Sequence, residues 1–88
     1  MKIDGCIREL IAVGASVAAN CQPCLEYHVG KATEEGACAQ EIAEAIEVGK
    51  TVRRGAASKM DKFSATVLRS SPSVVGASDS DCGCSRSS

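Results

Sequence analysis

The chain has 88 residues, a formal charge of −1, six cysteines and only two aromatic side chains, Tyr27 and Phe63. That length admits one small domain with a core of Ala, Val, Ile and Leu, and scaffolds of this size draw stability from disulfides, a metal or self-association, so a homo-oligomer is expected. Charges of both signs are interspersed, which excludes a field able to hold nucleic acid or an anionic membrane surface.

The first apolar period runs from about Ile3 to Ala19, with Ile7, Leu10, Ile11, Gly14, Ala15, Val17 and Ala18 at spacings of three and four. This pattern predicts a helix with a wide buried face. Its second half, Leu10 to Cys21, imitates the apolar core of a signal peptide ahead of a lipidated cysteine. Asp4, Arg8 and Glu9 interrupt the basic leader, Asn20 is a poor residue before such a cysteine, and the run is too short to cross a bilayer. Secreted cysteine-rich miniproteins are also rich in loops, whereas this chain is helix-patterned. The expectation is a cytoplasmic protein without membrane attachment.

Asn20 suits a helix-ending conformation, and Pro23 suits the first turn of a following helix because it has no N–H to satisfy. One helix therefore ends and another begins within "ANCQPC". The second carries Leu25, Val29 and Ala32 on one side and stops near Gly36. A third opens with Cys38 in the place of a capping Ser or Thr and Glu41 three residues on, then sustains its period through Ile42, Ala45, Ile46, Gly49, Val52, Ala56, Met60, Phe63 and Val67 to about Arg69. Gly49 and Gly55 each weaken this helix by about 1 kcal/mol relative to Ala and are read as points of close helix approach. Arg53 and Arg54 read as a solvated face.

From Ser70 the composition turns to Ser, Gly, Asp and Pro, with little to offset the cost of ordering. The chain thus divides into a helical domain over 1–69 and a flexible tail over 70–88. The fold class is all-α, a helical hairpin plus a long third helix in an oligomeric bundle.

Chemistry concentrates in "NCQPCLEYHV", residues 20–29. At a helix start the unpaired N–H groups and the aligned peptide dipoles favour a thiolate, and this argument activates Cys21 and Cys24 alike. A separation of three brings the two sulfurs to one side of the turn, where a disulfide can form and reopen. His28 lies one turn past Cys24 on the same face, and its imidazole can take and return a proton near neutrality. If the two helices fold back at Asn20, Glu9 falls in the right layer to orient His28. Two other readings stand beside this one. Cys21, Cys24 and His28 can form part of a zinc or soft-metal site completed by Cys82 or Cys84, or the thiols can be inert parts of a helical oligomer. Cys6 and Cys38 read as small packing or capping residues. The tail pair Cys82 and Cys84 is strained as an internal disulfide and suits a redox relay to Cys21 and Cys24 or a grip on a soft metal, and a disordered end that happens to carry cysteine is the equal alternative.

The spacing Glu9, Cys21, Cys24, His28, with its flanks "IAVGASVAANCQPCLEYHVGKATEEGA" and "EIAEAI", resembles the active-site signature of the alkyl hydroperoxidase D and carboxymuconolactone decarboxylase superfamily, in its redox-active AhpD-like branch. The resemblance covers roughly Lys2 to Ser64. It implies an all-helical fold assembled as trimers or hexamers and no cofactor. The implied activity is a dithiol that reduces hydroperoxides or exchanges disulfides with a thiol electron-donor protein. Carried over by position, it makes Cys24 the peroxide-attacking thiolate, Cys21 the resolving thiol, His28 the proton carrier and Glu9 the group that polarises it. Pro23 stands where the family's peroxidases have a second histidine. The decarboxylase branch does not use this dithiol, so decarboxylation is not implied.

Overall fold

A computed structural model of the chain describes residues 2–70, and the expected tail from residue 71 onward, with Cys82 and Cys84, lies outside the described residues. Those residues form three helices, α1 Gly5–Ala18, α2 Gln22–Glu34 and α3 Ala39–Arg69. The fold is all-α, a hairpin of α1 and α2 followed by a long third helix.

α1 begins two residues later than its apolar period suggests. Asp4 stands outside the helix with extended backbone, and its carboxylate accepts from the Ile7 N–H at 2.8 Å. A capping carboxylate satisfies one of the four donors that every helix start leaves unpaired, so the boundary falls at Asp4 rather than at Ile3.

Both connections in the hairpin region are Schellman turns. At the end of α1, Asn20 takes φ +58°, its N–H donates to the Val17 carbonyl and the Cys21 N–H donates to the Ser16 carbonyl. At the end of α2, Gly36 takes φ +101°, its N–H donates to Thr33 and the Ala37 N–H donates to Ala32. In each case a left-handed residue lets two orphan carbonyls find donors. The first turn is as short as such a turn can be, since Cys21 both closes α1 and caps α2, where its carbonyl accepts from the Leu25 N–H at 3.0 Å. α3 starts with half a capping box: the Glu41 carboxylate accepts from the Cys38 N–H at 2.9 Å.

The described residues fall into two units, 2–57 and 58–70. In the first unit, Val13, Ala32 and Ala37 form the buried centre, with Cys6, Leu10, Leu25, Val29, Ile42, Ala45 and Ile46 against it. Val13 is the largest fully buried side chain, so this core is thin. Close backbone approach compensates in part. At Gly49 an added Cβ would overlap the Gly14 carbonyl oxygen and lie 2.8 Å from the Val17 Cβ. Gly49 is therefore the close-approach point that its position predicts, while Gly55 is not, because nothing lies within 4 Å of an added Cβ there. An open apolar groove of about 720 Å³ runs between α1 and α3, with Ile7, Ile11, Val48 and Val52 exposed along it. In the second unit the described residues continue α3 from Ser58 to Arg69, and Met60, Phe63, Val67 and Leu68 are exposed.

The two arginines separate. Arg54 is exposed and its Nη2 donates to Thr51 Oγ1 at 3.3 Å, as a solvated residue does. Arg53 is half-buried, and its Nη1 donates to Asn20 Oδ1 at 3.1 Å and to the Val17 carbonyl at 3.4 Å. The reading of the pair as one solvated face is corrected for Arg53, because the Schellman turn at Asn20 presents two acceptors to that side of α3.

Candidate functional site

The short turn at Asn20 builds the site. It commits the Cys21 N–H to α1 and the Cys21 carbonyl to α2, so the backbone of this cysteine is held from both sides. Cys21 is the residue just before the helix rather than a member of its first turn, and it makes no side-chain capping bond. Pro23 sits in the first turn, where its missing N–H costs nothing. Cys24 follows at the third helical position and is exposed, whereas Cys21 is half-buried. The two are joined as a disulfide with Cα atoms 5.2 Å apart, within the usual span of such bridges.

One turn further along α2 is His28. Its Nδ1 lies 2.7 Å from Glu9 Oε1 across the hairpin. A carboxylate oxygen accepts, so in the neutral ring the hydrogen sits on Nδ1 and Nε2 carries the lone pair. The ring is 30% exposed and the carboxylate 17%, a partly dried setting in which this contact is stronger than on open surface. Tyr27 meets the imidazole edge-on, with ring centroids 5.0 Å apart and an interplanar angle of 80°. Nothing in the sequence marks Tyr27 for this contact, since neighbours in a helix ordinarily diverge.

Of the residues singled out from sequence, the structure brings Glu9 to His28 and Cys21 to Cys24, with the second pair one turn from the first along α2. Cys6 and Cys38 lie elsewhere. Cys6, near the start of α1, is about 20 Å along the helix axis from Cys21 at 1.5 Å per residue. It is half-buried against the core, and burial raises its thiol pKa above the ordinary value, helped by the carboxylates of Glu41, Asp4 and Glu35 and by Cys38. Cys38 is exposed. Among the described residues no three His, Cys, Asp or Glu side chains gather to hold a metal ion, and the Cys21 and Cys24 sulfurs are bonded to each other. Cys82 and Cys84, invoked for the relay and for completing a metal site, lie outside the described residues.

Behind Cys21 is a small cleft of about 260 Å³. Val17, Leu25 and Ile46 supply apolar wall, and Lys50 and Arg53 are the charged groups that line it.

An all-α hairpin that presents a Cys-X-X-Cys pair at a helix start, with a carboxylate-anchored imidazole one turn on, defines a class of small helical dithiol proteins. This chain belongs to the carboxymuconolactone decarboxylase family, whose model matches residues 2–66. It is similar to a curated relative from Paracoccus denitrificans, the uncharacterized protein 4 in the cox locus, with 42% identity over 55 residues. That alignment covers 62% of this chain and 50% of the relative, so the chain spans about half the length of the curated relative it matches. No solved structure matches the chain significantly. Among the described residues no helix is long and apolar enough to cross a membrane.

Proposed function

We propose that the protein is a thiol-dependent oxidoreductase whose Cys21–Cys24 pair cycles between dithiol and disulfide, reducing hydroperoxides at the expense of a thiol donor in the cytoplasm. The observation that carries this reading is the 2.7 Å contact of Glu9 with His28, one turn beyond the bridged cysteines. Family membership fits a redox role for such a pair.

In this reading the Cys24 thiolate, stabilised by the positive end of α2, attacks the outer oxygen of ROOH. The O–O bond breaks, the alkoxide leaves as ROH with a proton passed through His28, and Cys24 becomes a sulfenic acid. Cys21 then attacks the Cys24 sulfur, water leaves and the disulfide forms. The sum is ROOH plus two thiols giving ROH, water and one disulfide. Glu9 fixes the Nδ1–H tautomer and steadies the imidazolium. With Pro23 where AhpD-like peroxidases carry a second histidine, the proton transfer rests on His28 alone. The working form in this reading is a homo-oligomer, a trimer or hexamer, supported by the thin core and the open apolar groove between α1 and α3.

The test is mass spectrometry of reduced, then alkylated, protein before and after one equivalent of a hydroperoxide. The expected result is conversion of Cys21 and Cys24 to a disulfide, with one sulfenic acid trapped on Cys24 in Cys21→Ser and no oxidation at this site in Cys24→Ser. A peroxide-consumption rate unchanged by Cys24→Ser would remove the reading.

A further inference from the structure

We propose that the cleft behind Cys21 is a subsite for a low-molecular-weight thiol that carries a carboxylate, and that Arg53 holds the carboxylate while the thiolate reduces the disulfide at Cys21. The proposal rests on the dithiol reading above and specifies the chemistry of a reductant.

Three features of the cleft support it. Both of its charged lining groups are cations, Lys50 and Arg53, and no carboxylate lines it. Arg53 makes no ion pair among the described residues, and its Nη1 is held by Asn20 Oδ1 and the Val17 carbonyl. Its Nε and Nη2 donors have no partner there, which leaves the fork that binds a carboxylate in two-point fashion. Lys50 is the weaker anchor, because it is paired at 3.1 Å with the exposed Glu47. Finally, at about 260 Å³ the space falls below the usual range for drug-sized ligands of roughly 300–1,000 Å³ and suits a unit the size of one amino acid. A mercaptocarboxylate with a short carbon chain has that size, and Leu25 and Ile46 would cover its methylenes.

Cys21 lines the cleft and Cys24 does not, so the proposed attack from the cleft is on the Cys21 side of the bridge, at Sγ. The incoming RS⁻ forms an R–S–S–Cys21 bond, the Cys21–Cys24 bond breaks, and its electron pair leaves on Cys24. That sulfur sits in the first turn of α2, where peptide dipoles stabilise the departing thiolate, and better-stabilised thiolates leave faster. A second RS⁻ attacks the outer sulfur of the mixed disulfide and releases Cys21. Two RSH and one protein disulfide become RSSR and two protein thiols.

The test uses the oxidised full-length chain and two nearly isosteric thiols, 3-mercaptopropionate and its methyl ester. Rates of disulfide reduction are followed by quenched alkylation, expressed per thiolate and divided by the rate each probe shows with a small model disulfide. Wild type is expected to favour the acid about tenfold, the scale of one charge-assisted hydrogen bond pair. Most of that preference should vanish in 0.5 M salt, be retained in part in Arg53→Lys, and be lost in Arg53→Gln, with Arg54→Gln behaving as wild type. Equal normalised rates for acid and ester in wild type, a comparison that needs no variant, would overturn the subsite. So would Arg53→Gln slowing both probes equally. Hydroperoxide oxidation of Cys21 and Cys24 is measured separately, so loss of the acid preference with intact peroxide reactivity rejects the subsite alone.

Discussion

Glu9 Oε1 and His28 Nδ1, nineteen residues apart in the chain, meet at 2.7 Å across the α1–α2 hairpin. The contact exists because the Schellman turn at Asn20 reverses the chain with a single left-handed residue, which leaves α1 and α2 adjacent along their length. Removing the charge at one end should therefore disturb proton transfer without disturbing the helices. Glu9→Gln is expected to lower hydroperoxide turnover about tenfold to a hundredfold, and His28→Ala by about a hundredfold or more, the usual range for a positioned acid–base group. Stopped-flow peroxide consumption measures the rates and circular dichroism checks the fold. Turnover by His28→Ala equal to wild type would take the imidazole out of the chemistry.

Gly49 and Gly55 offer a paired test of packing. An added methyl at Gly49 meets the Gly14 carbonyl and the Val17 Cβ, so the strain exceeds the gain in helix propensity. Gly49→Ala is expected to destabilise the protein by about 1–2 kcal/mol. Gly55→Ala enters open space and is expected to stabilise it by up to about 1 kcal/mol. Urea unfolding at fixed protein concentration reads both, and the prediction fails if the two substitutions move stability in the same direction.

Asp4 is the sole side-chain cap observed at the start of α1. Asp4→Ala should cost about 1 kcal/mol, and Asp4→Asn or Asp4→Ser should recover most of it, since any short acceptor at that position can reach the Ile7 N–H. Thermal unfolding midpoints for the three variants would rank them, and a wild-type midpoint for Asp4→Ala would contradict the cap's contribution.

Cys6 and Cys38 should differ in reactivity although neither is in a disulfide. Burial, then Glu41, Asp4, Glu35 and Cys38, raise the Cys6 thiol pKa above its ordinary 9.0, so less of it is thiolate at any pH near neutrality. Its alkylation by iodoacetamide is expected to lag that of the exposed Cys38 at pH 8 and to keep accelerating above pH 9. Peptide mapping over time resolves the two sites, and the lag should disappear in urea. Equal rates in the folded protein would deny the effect of burial.

Much of this architecture is legible in the linear chain because it is local. Helix ends depend on residues within a few positions of one another, and so Asn20, Pro23, Gly36, Cys38 and Glu41 mark three helices closely. The Cys21, Cys24 and His28 spacing is likewise a matter of one helix and its period. Asp4 was the exception at this level, since in the sequence it reads first as a charge interrupting a leader.

What tertiary structure alone decided is which of two similar residues matters. Gly49 and Gly55 look alike in the sequence, yet only Gly49 faces α1 at touching distance. Arg53 and Arg54 are neighbours, yet a 100° step around the helix sends one to the acceptors at Val17 and Asn20 and the other to solvent. The same holds for Glu9, whose carboxylate has a destination only because the hairpin brings α2 back beside it. Spacing along one helix follows from covalent geometry, whereas a partner across the fold depends on how two surfaces rotate and pack, and no local pattern encodes that angle.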